Sequence, residues 1–137
     1  MKPQIATTPE QSQRLLSCGV STDTADMYYT NYPNKPNDNK PYIGMVGIRK
    51  DLIPAWSLSR LLELMPHVIE VDDDTDCYFC LAKDYPASED YSAAYLECWT
   101  FDHESIVRIR DNSPIEACVQ LIEWLSANGY KLNEDKE

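Results

Sequence analysis

The sequence predicts an α+β fold: N-terminal helices, a small antiparallel sheet of three to four strands, and a C-terminal helix packed on one sheet face. Three observations carry this. Two segments, near residues 9–18 and 113–128, have helix-start residues at one end and a glycine at the other. Between residues 67 and 110 lie short runs of strand-forming residues broken by acidic and turn-forming stretches. The last two of these runs can be set in register as an antiparallel hairpin with one apolar face.

The first helix is predicted over about residues 9–18. Thr8 is its N-cap, Pro9 suits the first helical position, Gln11 completes a capping box and Gly19 follows the end. Leu15 and Leu16 supply a narrow apolar stripe. "STDTADMYY" then begins with capping residues and reads as a short helical turn. In "WSLSRLLELMP", Ser57 caps a second helix, Trp56 can pack against Leu61, and Pro66 stops it. Leu58, Leu61, Leu62 and Met65 fall on one face.

Strands are predicted at about 67–71, 77–83, 94–101 and 105–110. A two-residue turn at Asp102 and His103 would place Cys98 opposite Val107 and Leu96 opposite Ile109, with Glu97 facing Arg108 on the other side. In the last helix, Ser113 is the N-cap, Pro114 follows it and Glu116 closes a capping box. Ile115, Cys118, Val119, Ile122 and Leu125 share its buried face, while Glu116, Gln120 and Glu123 lie opposite. Trp124 falls at the edge of that face, where it is a candidate contact residue.

At 137 residues and 43% hydrophobic composition the chain fits one domain, with a polar loop at about 30–41 and a frayed acidic tail at 133–137. The loop "TNYPNKPNDNKP" holds three prolines and four asparagines and no aliphatic residue. Tyr28, Tyr29, Tyr32 and Tyr42 flank or sit within it, and tyrosine beside asparagine combines rigid contact area with adaptable hydrogen bonding. These four residues, with Trp124, are the candidate binding residues. Glycines 44 and 47 precede Arg49 and Lys50, but no helix start follows them, which argues against a phosphate clamp.

The formal net charge is −11. Such a field repels phosphate backbones and anionic lipid, so neither nucleic-acid nor membrane binding is expected. The partner is expected to be another protein, one with a basic surface; an acidic inhibitor that mimics DNA is the specific alternative. No stretch approaches the ~20 apolar residues that span a bilayer, and the N-terminus lacks a leader pattern, so a cytoplasmic location is expected. The five cysteines are then reduced thiols.

"DDDTDCYFC" raises the one sharp chemical question. Cys77, Cys80, Cys98 and His103 have the outline of a three-cysteine, one-histidine zinc site, which is the metal-binding alternative. Against it, Tyr78 and Phe79 belong in a strand, where a three-residue separation sends the two sulfurs to opposite faces. The acids before the pair lack the glycine and terminal glutamate of a calcium loop. No helix start follows the cysteine pair to activate a thiolate. With only His67 and His103 and no nucleophile-elbow or HExxH motif, no catalytic residues are assigned and no cofactor is expected; an enzyme is the third alternative, and it requires a pocket that brings His67 or His103 to a cysteine or carboxylate.

Three stretches, "TPEQSQRLLSCGVSTDTADM", "IPAWSLSRLLELMP" and "SPIEACVQLIEWLSANGYKL", together resemble a group of small proteins of prophages and other mobile elements in gut Bacteroidetes. The likeness covers most of the chain outside 72–95. It implies a cytoplasmic accessory protein of a mobile element, and it brings no established activity or catalytic residues. The function expected is therefore non-catalytic protein binding.

Overall fold

The computed structural model describes residues 4–30, 40–44, 52–72, 75–83, 89–97 and 105–133. In chain order they form α1 (Pro9–Ser17), a 3-10 turn (Thr22–Thr24), β1 (Met27–Thr30), β2 (Tyr42–Ile43), β3 (Leu52–Ala55), α2 (Leu58–Leu64), β4 (Val68–Asp72), β5 (Thr75–Lys83), β6 (Tyr91–Leu96), β7 (Ser105–Asp111) and α3 (Pro114–Ala127). The fold is α+β, and α3 packs against β6 and β7.

Two antiparallel sheets are present among the described residues, where the sequence suggests one: β2-β1-β3 and β4-β5-β6-β7. The three-stranded sheet is hidden in the sequence because Pro54 lies within β3, and proline removes a ladder donor. It is tolerated there because, among the described residues, β3 pairs only with β1, with Tyr28 opposite Pro54. The helical reading of "STDTADMYY" holds for its first half, where Ser21 caps the 3-10 turn; Met27 onward is strand.

The predicted helix ends are present. Thr8 and Gln11 exchange both bonds of the capping box. The α1 C-terminus is closed by Val20 N–H donating to the Leu15 carbonyl and Gly19 N–H to that of Leu16. The α3 C-terminus repeats this with Tyr130 on Leu125 and Gly129 on Ser126. Gly19 and Gly129 sit at φ +94° and +80°, the left-handed conformation this closure requires. Trp56 and Leu61, either side of the Ser57 cap, are both wholly buried in the main core.

One detail of the last helix is corrected. Ser113 Oγ accepts from Glu116 N–H, but the Glu116 carboxylate does not reach back. Asp111 accepts from Ser113 N–H instead, at 2.9 Å. Glu116 is drawn to α1, where Arg14 donates to it and to Glu123. The face of α3 read as outward therefore covers α1.

The β6–β7 register is also corrected. Tyr95 lies opposite Val107 and Ala93 opposite Ile109, with an irregularity between Tyr95 and Leu96. Alternation cannot define the register here, because "AAYL" is apolar on both faces. The sheet turns Ala93 and Tyr95 toward α3, together with Ile69, Cys77, Val107 and Ile109. Small Ala93 admits the helix closely, and Tyr95, wholly buried, donates its hydroxyl to the Pro66 carbonyl at 2.7 Å. Leu96 faces the other way. Cys98, His103 and the turn expected between the two strands lie outside the described residues.

Candidate functional site

The candidate binding residues converge only in part. Tyr28 of β1 stands directly opposite Tyr42 of β2, and opposed residues share a sheet face. Their rings stack with centroids 5.8 Å apart and planes inclined by 29°. The neighbouring pair, Met27 and Ile43, points to the other face. Met27 is covered by the core there, but among the described residues β2 is the edge of this sheet, and Ile43 is 87% exposed. Tyr42 is 42% exposed. The result is an aromatic pair on one side of a short edge strand and a bare isoleucine on the other.

Local geometry fixes this corner. Gly44 follows β2 at φ +146°, and a Cβ there would meet Tyr28 Cε1 at 3.0 Å. Its N–H donates to the Asp26 carbonyl at 3.0 Å. The Asp26 carboxylate in turn accepts from Ser57 N–H at 2.9 Å and Ser57 Oγ at 2.6 Å, tying the start of β1 to the N-cap of α2. A glycine is needed where the backbone passes so close to an aromatic ring.

Tyr29, expected among the contact residues, is an interior residue. It is 5% exposed, and its hydroxyl donates to the Thr7 carbonyl at 2.9 Å. Burial pushes its pKa up. The reason is strand alternation: Tyr28 and Tyr29 must face opposite sides, and β1 has one side on the core. Tyr32 lies outside the described residues. Trp124 is half-buried and stacked on Tyr130, with centroids 5.6 Å apart, and it packs against the main core.

The strand separates the two cysteines of the pair. Cys77 and Cys80 both lie within the nine-residue strand β5. Cys77 pairs with Ile69 and is buried under α3, whereas Cys80 pairs with Ala94 on the opposite face. Asp72 lies opposite Thr75 where β4 and β5 pair, and Asp73 and Asp74 of the acidic run are outside the described residues. Among the described residues, no group of three or more His, Cys, Asp or Glu side chains is placed to hold a metal ion. Cys98 and His103 are outside those residues, and His67 is an exposed residue ahead of β4.

A cleft of about 330 Å³ was not foreseen. It lies between the two helix C-termini and is lined by Cys18, Ser126, Tyr130 and Lys131 among others. Ser126 Oγ donates to the Cys18 carbonyl at 3.0 Å, holding the ends together. Burial raises the Cys18 pKa, and Glu123 adds to this against the opposing Arg14. A thiol so disposed is a poor nucleophile. The glycine caps at 19 and 129 were legible in the sequence; that they lie side by side was not.

The described residues thus define an α+β protein of three helices and two antiparallel sheets. No helix among them is long and apolar enough to cross a membrane. No protein-family profile, curated protein or solved structure matches the chain.

Proposed function

We propose that the chain is a non-catalytic protein-binding module, acting as a cytoplasmic accessory protein of a mobile element, and that it meets its partner with the Tyr28, Tyr42 and Ile43 corner. The observation that carries this reading is a short strand, at the sheet edge among the described residues, with a stacked tyrosine pair on one face and the nearly bare Ile43 on the other. Aromatic residues with a polar tip are enriched where proteins meet, and a partner that wraps the strand edge would cover the exposed isoleucine as well. The net charge of −11 favours a partner with a basic surface.

Capture from host and phage lysate on the immobilised chain tests this. A partner retained by the wild type and by Trp124→Ala, but lost with both Tyr42→Ala and Ile43→Asp, is the expected result. Retention by all variants, or no specific partner, overturns the reading. Tyr29→Ala is unsuitable, because removing a buried ring unfolds rather than reports.

A further inference from the structure

The four-stranded sheet has two open edges among the described residues, β4 and β7. Which backbone groups point outward follows from the ladders. Phe79 N–H donates to the His67 carbonyl at 3.0 Å, so residues 67 and 69 bond inward to β5, and alternation turns the N–H and C=O of Val68 and Glu70 outward. Carried across β5 and β6, the same alternation makes Val107 and Ile109 bond inward and turns those of Arg108 outward.

The side chains of the two edges are complementary. On the face away from α3, β4 carries exposed Glu70 and β7 carries exposed Arg108. On the face toward α3, β4 carries Ile69 and Val71, and β7 carries Val107 and Ile109. We infer that a second copy of this chain extends the sheet, β4 of one copy pairing antiparallel with β7 of the next, with Glu70 opposite Arg108 as a hydrogen-bonded pair. In that register Ile69 meets Ile109 and Val68 meets Arg110, and the irregularity of β4 between Glu70 and Asp72 ends the regular pairing there. Symmetric pairing is disfavoured, since β4 against β4 sets acid against acid and β7 against β7 sets arginine against arginine.

The two surfaces differ, so the contact is head-to-tail and does not stop at a dimer. So short a strand pair falls below the roughly 1,200 Å² of a stable interface, and the charge of −11 per copy opposes association. Self-association is therefore weak and belongs to high concentration.

Sedimentation velocity at up to ~1 mM protein, the range such a small contact requires, is the test. The expected result is an average mass that climbs with concentration above the 15.7 kDa of the monomer without levelling at a dimer. Glu70→Arg and Arg108→Glu should each abolish the climb. The double variant, or an equimolar mixture of the two single variants, should restore it. Tyr42→Ala should leave it unchanged, which separates this contact from the tyrosine corner. Both substituted residues are exposed, and melting curves matching the wild type confirm folding. A wild type that stays monomeric, a plateau at dimer, or association indifferent to the single reversals overturns the inference.

Discussion

Glu116 concentrates more hydrogen bonds than any feature of its sequence suggests. Its carboxylate accepts from Arg14, at 2.9 and 3.0 Å, and from Gln11 and Gln120, each at 2.7 Å. Burial works to raise its pKa, but the hydrogen bonds from Arg14, Gln11 and Gln120 together outweigh it and hold the carboxyl below the usual range. A depressed carboxylate pKa stabilises the fold above the unfolded value of about 4.3, and that contribution disappears as pH falls through the folded value. Glu116→Gln is expected to cost about 1–2 kcal/mol near neutral pH, discounted for a half-exposed Arg14, with the difference shrinking below about pH 4. Thermal melts of both proteins across that range check it. Thiol chemistry separates in the same way. Burial pushes the Cys118 thiol up to about 12 and raises that of Cys77, so both should resist labelling in the native state and react on unfolding. Time-resolved labelling with mass spectrometry reads this directly; early modification at either position would contradict the burial.

At the scale of elements, caps were more legible than pairings. Thr8, Gln11, Ser57, Ser113, Gly19 and Gly129 all act where the sequence places them, because a cap depends on residues within one turn of the chain. Strand register depends on partners far along it. The run Ala93–Leu96 offered no alternation to choose a register, and β3, which holds Pro54, is paired on one side alone among the described residues. Glycine makes two contrasting predictions here. Gly129→Ala meets no atom within 4 Å and suffers only the cost of φ +80°, so a loss of about 1 kcal/mol is expected. Gly44→Ala carries the strain of φ +146° and also pushes on Tyr28, so a larger loss is expected, along with a shifted tyrosine pair. Chemical denaturation gives the two losses, and the aromatic NMR resonances of Tyr28 and Tyr42 give the displacement.

Across the whole molecule, a buried polar hub joins the N-terminal segment to the three-stranded sheet and α2. Thr7 N–H donates to the Trp56 carbonyl, Trp56 N–H donates to Thr7 Oγ, and the indole N–H of Trp56 donates to Thr24 Oγ at 2.9 Å. Tyr29 donates to the Thr7 carbonyl, and Thr7 also shares a bond with Ser12. The Trp56 ring itself belongs to the main core, so one residue ties the small sheet to the helices over the large one. At the far end, Asn133 donates from its N–H to the Leu64 carbonyl and from Nδ2 to that of Met65, closing α2. Trp56→Ala should therefore cost about 3–5 kcal/mol or prevent folding, while Trp56→Phe keeps most of the ring and loses the bond to Thr24, costing about 1–3 kcal/mol. Equilibrium unfolding should show the loss in both sheets together.

Sequence by itself determined the α+β class, the three helices and their ends, the strand character of "CYFC" and the acid excess. These follow from local patterning and composition, which act within a few residues of one another. Tertiary structure alone decided that Tyr29 is interior while Tyr42 and Ile43 remain exposed, that Glu116 serves Arg14 rather than its own cap, and that the two helix ends enclose a cleft. It also decided that opposite charges sit on opposite edges of one sheet. Each of these depends on which distant segment comes to lie alongside, and that is set by the burial of the whole core rather than by any stretch of chain.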